Sequence, residues 1–98
     1  MSDIREVKTD RVFKEFDIAQ AGTPHLHQNL RWFVTASNSV LGVVVLDLVD
    51  FDFSAVVMAR DHLAPRFTAV DLRHSVPSFD ECVPILHDLM RKNLKEFP

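Results

Sequence analysis

Five histidines, one cysteine and a run of aspartates are the residues of this 98-residue chain best suited to chemistry. His25 and His27 stand one residue apart, so an extended segment would put both imidazoles on one side, as a zinc or copper site requires. His62 or His74 could supply a third ligand from elsewhere in the fold. No cysteine or acid stands at ligand spacing beside the pair, which also suits ordinary residues of a Pro-containing loop. Asp47, Asp50 and Asp52 could offer hard oxygen ligands to a divalent cation, yet they lack the glycine and the later glutamate of a calcium loop. Aspartates are also what a turn needs, because their carboxylates bond the backbone two residues on. Arg60-Asp61-His62 sets a base, an acid and an imidazole in succession, but consecutive strand residues point to alternate faces and need not converge.

Cys82 falls at the start of a predicted helix, where a thiol pKa can be lowered, and His74 or His87 could act as its base. Beside an apolar helical stripe, however, a lone cysteine behaves as a small buried hydrophobe. Trp32, Phe33, Phe51, Phe53 and Phe67 could form a stacking platform for single-stranded nucleic acid, but the basic groove that should accompany them is missing. Only Gly22 and Gly42 are glycines, which leaves no glycine-rich phosphate loop and implies no cofactor.

Charge narrows the classes further. Eleven basic and 14 acidic side chains give a formal net of −3, too acidic for a general phosphate-binding surface. Residues 1–40 carry five charges of each sign and residues 81–98 three of each, whereas residues 41–80 carry six Asp against three Arg. The excess therefore lies in the middle, where Asp50, Asp52 and Asp61 are candidates for an acidic surface that meets a protein partner. One cysteine forms no internal disulfide, and no leader-like segment precedes the first charges, so a cytoplasmic address is expected. The longest apolar run, Val40 to Leu46, is seven residues long, far short of the roughly 20 that span a bilayer.

The elements that must position these groups read as an α+β domain spanning residues 1–98. Residues 1–29 form an N-terminal segment, with one or two helical turns, and a connector broken by Gly22, Thr23 and Pro24. Residues 30–98 form a four-stranded antiparallel meander and a C-terminal helix packed on one sheet face. The strands are expected near Leu30 to Ser37, Val40 to Leu48, Phe53 to Arg60 and Arg66 to His74, with Asn38-Ser39 as a tight hairpin connection. Ser78 with Glu81 forms a capping box ahead of the stripe Val83, Leu86, Met90, Leu94 and Phe97, and Pro84 is expected to kink or divide the first turns.

The second strand is apolar on both sides, with Leu41, Val43 and Val45 facing one way and Val44, Leu46 and Leu48 the other. One helix covers one face. The other needs the N-terminal segment or a second copy, and Leu41, Val43 and Val45 are the candidate face of a homodimer.

Arg31 to Met90 resembles a set of small bacterial proteins known as hypothetical sequences. The resemblance rests on Trp32, the run Leu41-Gly42-Val43-Val44-Val45-Leu46-Asp47, Asp50, Asp52-Phe53, Val57-Met58-Ala59-Arg60-Asp61, Arg66-Phe67, Asp71 and Ser75-Val76-Pro77-Ser78. Phe53 stands where a tryptophan is expected, and the first thirty residues lie outside it. It implies a fold and no activity, cofactor or substrate. The sequence therefore points to a non-catalytic interaction module, homodimeric, with an acidic loop surface for a regulatory or inhibitor-like contact. The alternatives are a small metal-dependent enzyme or binding protein using His25 and His27, and a sheet-based binder of single-stranded nucleic acid.

Overall fold

The computed structural model describes residues 3–16, 18, 20–60 and 66–98. Its elements in chain order are β1 (Ile4–Val7), α1 (Thr9–Glu15), β2 (His27–Thr35), β3 (Val40–Asp47), β4 (Phe53–Ala59), β5 (Thr68–Val76) and α2 (Phe79–Leu94). The strands build one antiparallel sheet in the order β1-β2-β3-β4-β5, a meander without crossovers among the described residues. An α+β fold with a C-terminal helix is as the sequence predicts, but the sheet has five strands rather than four.

The added strand is β1, and its apolar pair explains why the sequence conceals it. Ile4 and Val7 are three residues apart, a helical step, yet in a strand that spacing sends them to opposite faces. Ile4 enters the core beneath α2, while Val7 enters the core beneath α1. β2 also begins earlier than expected, at His27. A register shift between Asn29 and Arg31 lets the strand continue through Leu30.

β3 is the central strand and sorts its side chains as the sequence indicates. Val40 and Val44 pack under α2, while Leu41, Val43 and Val45 pack under the N-terminal segment. All five are buried, with exposures of at most 3%. Asn38 holds the hairpin before β3 at φ 60, the left-handed geometry that the Asn38-Ser39 pair suggested.

Ser78 caps α2, its Oγ accepting the Glu81 N–H at 3.2 Å. Asp80 and Glu81 in the first turn and Arg91 and Lys92 in the last complement the helix dipole. Pro84 does not divide the helix, which runs unbroken from Phe79 to Leu94. Pro84 and Asp80 both lie on the exposed side, so the carbonyl that loses its helical donor can be hydrated. The buried face is Cys82, Leu86, Met90 and Asn93. Asn93 takes a place an apolar residue would be expected to fill, because its amide is satisfied there: Nδ2 donates to Leu89 O at 2.8 Å and to Asp71 Oδ2 at 3.1 Å.

α2 lies close to β3 because Gly42 has no side chain. A Cβ at that position would stand 2.5 Å from Met90 Sδ and 2.8 Å from Leu86 Cδ1. Gly42→Ala is therefore expected to destabilise the protein by about 1–3 kcal/mol through overpacking. Adding Met90→Ala should cost less in that background than in the wild type, and urea denaturation of the four proteins measures the coupling.

Candidate functional site

The two sheet faces are covered unequally. On the side opposite α2, Val12, Phe16 and Ala21 lie over Trp32, Val34, Leu41, Val43 and Val45, and all eight are buried. This corrects the homodimer face: Leu41, Val43 and Val45 are covered by the chain's own N-terminal segment and offer a second copy no apolar surface. The cover stops at β3. Beyond it, Val56 and Met58 are half-buried, Ala69 is exposed and Leu72 is 46% exposed.

The edge of that cover is the connector, residues 20–26, and side chains at the start of β2 pin it down. His27 Nδ1 accepts the Thr23 N–H at 2.9 Å. Asn29 makes a reciprocal pair with the Ala21 backbone, accepting its N–H at 3.0 Å and donating to its carbonyl at 2.9 Å. Gln20 Nε2 donates to His27 O at 3.2 Å. Gly22 sits at φ 81, where a Cβ would come within 2.7 Å of the His27 ring. Only glycine meets both demands without strain.

Between the pinned connector and β5 lies a cavity of about 340 Å³. Val45, Val56, Met58 and Leu72 provide apolar lining, and His27, Asp47, Ser54 and His74 provide polar groups. Of the pair on which the metal alternative rested, His27 lines this cavity and His25 does not; His74, one of the two suggested third ligands, lines it with His27. His27 is nevertheless not arranged as a ligand. Its Nδ1 lone pair is engaged by the Thr23 N–H, which leaves the neutral ring's proton on Nε2 as a donor. His25 is an exposed connector residue outside the cavity lining, and His62 lies outside the described residues. Among the described residues no three His, Cys, Asp or Glu side chains are grouped to hold a metal ion.

The β3–β4 turn adjoins the cavity through Asp47. Asp47 Oδ1 accepts the N–H groups of Val49 at 2.8 Å and Asp50 at 3.1 Å, and these bonds hold its carboxyl below the usual carboxylate range. The turn is thus held by Asp47 rather than by the Asp50 and Asp52 side chains. Asp50 is exposed and Asp52 half-buried, while Asp61 lies outside the described residues. Four apolar side chains, of which the sequence singled out only Phe51 and Leu48 and in other roles, are exposed at this end of the sheet. Leu26 is 42% exposed, Leu48 37%, Val49 64% and Phe51 73%. The Leu48 N–H donates to Leu26 O at 2.9 Å, so the connector joins the turn in one surface.

The other candidate groups are occupied elsewhere. Cys82 is fully buried, and desolvation pushes its thiol up to about 11, the reverse of activation. The aromatic platform is dispersed: Trp32 and Phe33 are buried on opposite faces, Phe53 packs edge-to-face on Phe79, and Phe67 does so on Phe16. Phe51 alone is largely open to solvent. The Arg60 guanidinium lies 4.9 Å from the Phe67 ring centroid, a cation–π contact.

β5 is an outer strand of the sheet, yet its edge is poorly suited to pairing with another chain. Two register shifts against β4 interrupt it, and Ser75 takes φ 59. The Leu72 N–H is held by Asp71 Oδ1 at 2.9 Å, so a side chain of the same strand occupies that donor. Irregular, self-satisfied edges of this kind oppose strand addition.

His87 is a second titratable group held partly away from water. Its ring packs edge-on against Phe33 with centroids 4.6 Å apart, and its Nε2 is buried without a partner among the described residues. Burial lowers its pKa, and Arg91 adds to the effect. The folded value lies below the unfolded value of about 6.5, so the unfolded state takes up the proton first. This contribution to stability is complete above pH 6.5 and is lost as the pH falls through the depressed folded value. Urea midpoints at pH 7.5, 6.5 and 5.5 should fall more steeply for the wild type than for His87→Phe, which keeps the ring contact and does not titrate.

Comparison with protein-family models, curated proteins and solved structures returned no match, so the role of this surface follows from its own residues.

Proposed function

We propose that the protein is a non-catalytic interaction module whose contact surface is the β3–β4 turn, and that it binds a protein partner there. The observation that carries this is Phe51. The residue is 73% exposed, and its backbone sits at φ 56, a left-handed conformation that costs a bulky residue about 1–2 kcal/mol. Asparagine or glycine would hold the same turn with less strain. A strained, solvent-exposed aromatic at the same end as exposed Val49, Leu48 and Leu26 makes an apolar patch of the kind found at the core of protein interfaces, and Asp50 and Asp52 give it an acidic border. The partner then needs an apolar pocket for the ring and a basic rim.

A non-catalytic role agrees with the state of the reactive groups. The Cys82 thiol is buried with a raised pKa, and the His27 ring is committed to holding the connector. A regulatory or inhibitor-like contact suits a small module that engages through one rigid turn.

Phe51→Asn tests the proposal directly, since it removes the ring and relieves the backbone. Its thermal midpoint should match or exceed that of the wild type, with a gain of up to about 1 kcal/mol in stability. A photo-crosslinking residue at position 51 should trap a protein that one at position 66 does not. The Phe51→Asn chain in excess should fail to compete with that capture. Equal competition by wild type and variant would remove Phe51 from the contact and the turn from the proposal.

A further inference from the structure

We infer that the cavity between the connector and β5 is a binding site for an amphipathic cation: a small molecule with an ammonium group on a compact apolar or aromatic body. It is separate from the protein contact proposed at the turn. Its volume of about 340 Å³ falls within the range of small-ligand pockets, and its walls come from four strands and the connector. Such a site is built on rigid elements. The connector wall is fixed by the His27 and Asn29 bonds, and the floor is the sheet itself.

The lining decides the chemical class. Val45, Val56, Met58 and Leu72 form a floor able to take a hydrocarbon or aromatic body, and the half-open state of Val56 and Met58 means that a ligand would bury surface now in contact with water. Among the described residues of the lining, Asp47 alone carries a formal charge and none is lysine or arginine. Its Oδ1 is taken by two backbone N–H groups, while its Oδ2 can accept a hydrogen bond from a ligand. A carboxylate held in its ionised form, at the end of an apolar cleft, selects for a cation and against an anion. Ser54 Oγ and His74 Nδ1, 3.5 Å apart, add polar groups beside the floor for orientation. The sheet edge contributes too, because β5, despite its register shifts against β4, supplies Leu72 and His74 to the lining.

The probe is 2-phenylethylamine, added to the full ¹⁵N-labelled chain at neutral pH and followed by amide chemical shifts. 2-Phenylethanol and 3-phenylpropionate serve as the neutral and anionic analogues. The expected result is a saturable set of shifts at Val45, Ser54, Val56 and Leu72 with the amine. The alcohol should bind about tenfold more weakly, the loss expected for a charge-assisted hydrogen bond, and the carboxylate should not saturate. Asp47→Asn keeps an Oδ1 to hold the turn and should weaken amine binding by a similar factor. Ala69→Trp fills the cavity from the exposed strand, leaves Asp47 and the turn in place, and should abolish the shifts. Equal binding of the three compounds, undiminished binding by either variant, or the absence of saturation would overturn the inference. Photo-capture at position 51 by the Ala69→Trp chain should be unaffected, which separates failure at the cavity from failure at the turn.

Discussion

The fold turns on a strand that is apolar on both sides. β3 places Val40 and Val44 on one face and Leu41, Val43 and Val45 on the other, and neither set can be left in water. At about 25 cal/mol per Å² of apolar surface, burying a side chain of this size contributes roughly 1.5–3 kcal/mol, so both layers of cover are worth having. α2 supplies one layer and is long enough to reach across β3, β4 and part of β5. α1 has seven residues and no side-chain cap, and it can supply only part of the other. A short helix of that kind is not stable alone, and its position depends on what it covers. The open half of the sheet face, over β4 and β5, follows from this difference in length.

The connector compensates for the weakness of α1 with specific bonds rather than area. Asn29 returns both its amide groups to the Ala21 backbone, His27 accepts from Thr23, and Gly22 clears room for the imidazole. The same bonds end the apolar cover sharply, so that a cavity rather than a gradual slope lies beside β3. The irregular β5 edge acts in the same sense. By holding the Leu72 N–H with Asp71 and interrupting the ladder twice, it leaves the strand's side chains available while withholding part of its backbone.

Much of this fold can be read in the residues, and the misses have identifiable causes. The meander from β2 to β5, the Asn38 hairpin and the Ser78 cap are local features, set by alternation and by residues whose side chains or φ preferences act within a few positions. β1 was hidden because Ile4 and Val7 serve different cores, which strand periodicity on one face does not anticipate. A division of the helix at Pro84 was suggested by helix interior rules, but α2 runs through it, and the Asp80 carbonyl that loses its donor lies on the exposed side, open to hydration. The acidic turn was legible as a cluster of aspartates, yet the residue that matters most in it is Asp47, because cap geometry depends on which carboxylate meets which N–H. His27 and His74 were visible as imidazoles, but their meeting in one cavity depends on the register of β2 with β3 and of β4 with β5. Exposed Phe51 was invisible as such, since phenylalanine in a β-rich sequence is ordinarily core.

Asp47 links the two surfaces at this end of the molecule. One carboxylate oxygen fixes the turn that holds Phe51 outward, and the same charged group stands at the polar end of the cavity. Each role favours the other: a carboxylate kept ionised by backbone N–H groups remains charged toward the cavity, and a cation there would strengthen the ion that holds the turn. Any coupling of this kind is reciprocal: by as much as a ligand at Asp47 favours the turn geometry, that geometry favours the ligand. Of the aspartates in residues 41–80, Asp47 is the one that both holds the turn and lines the cavity.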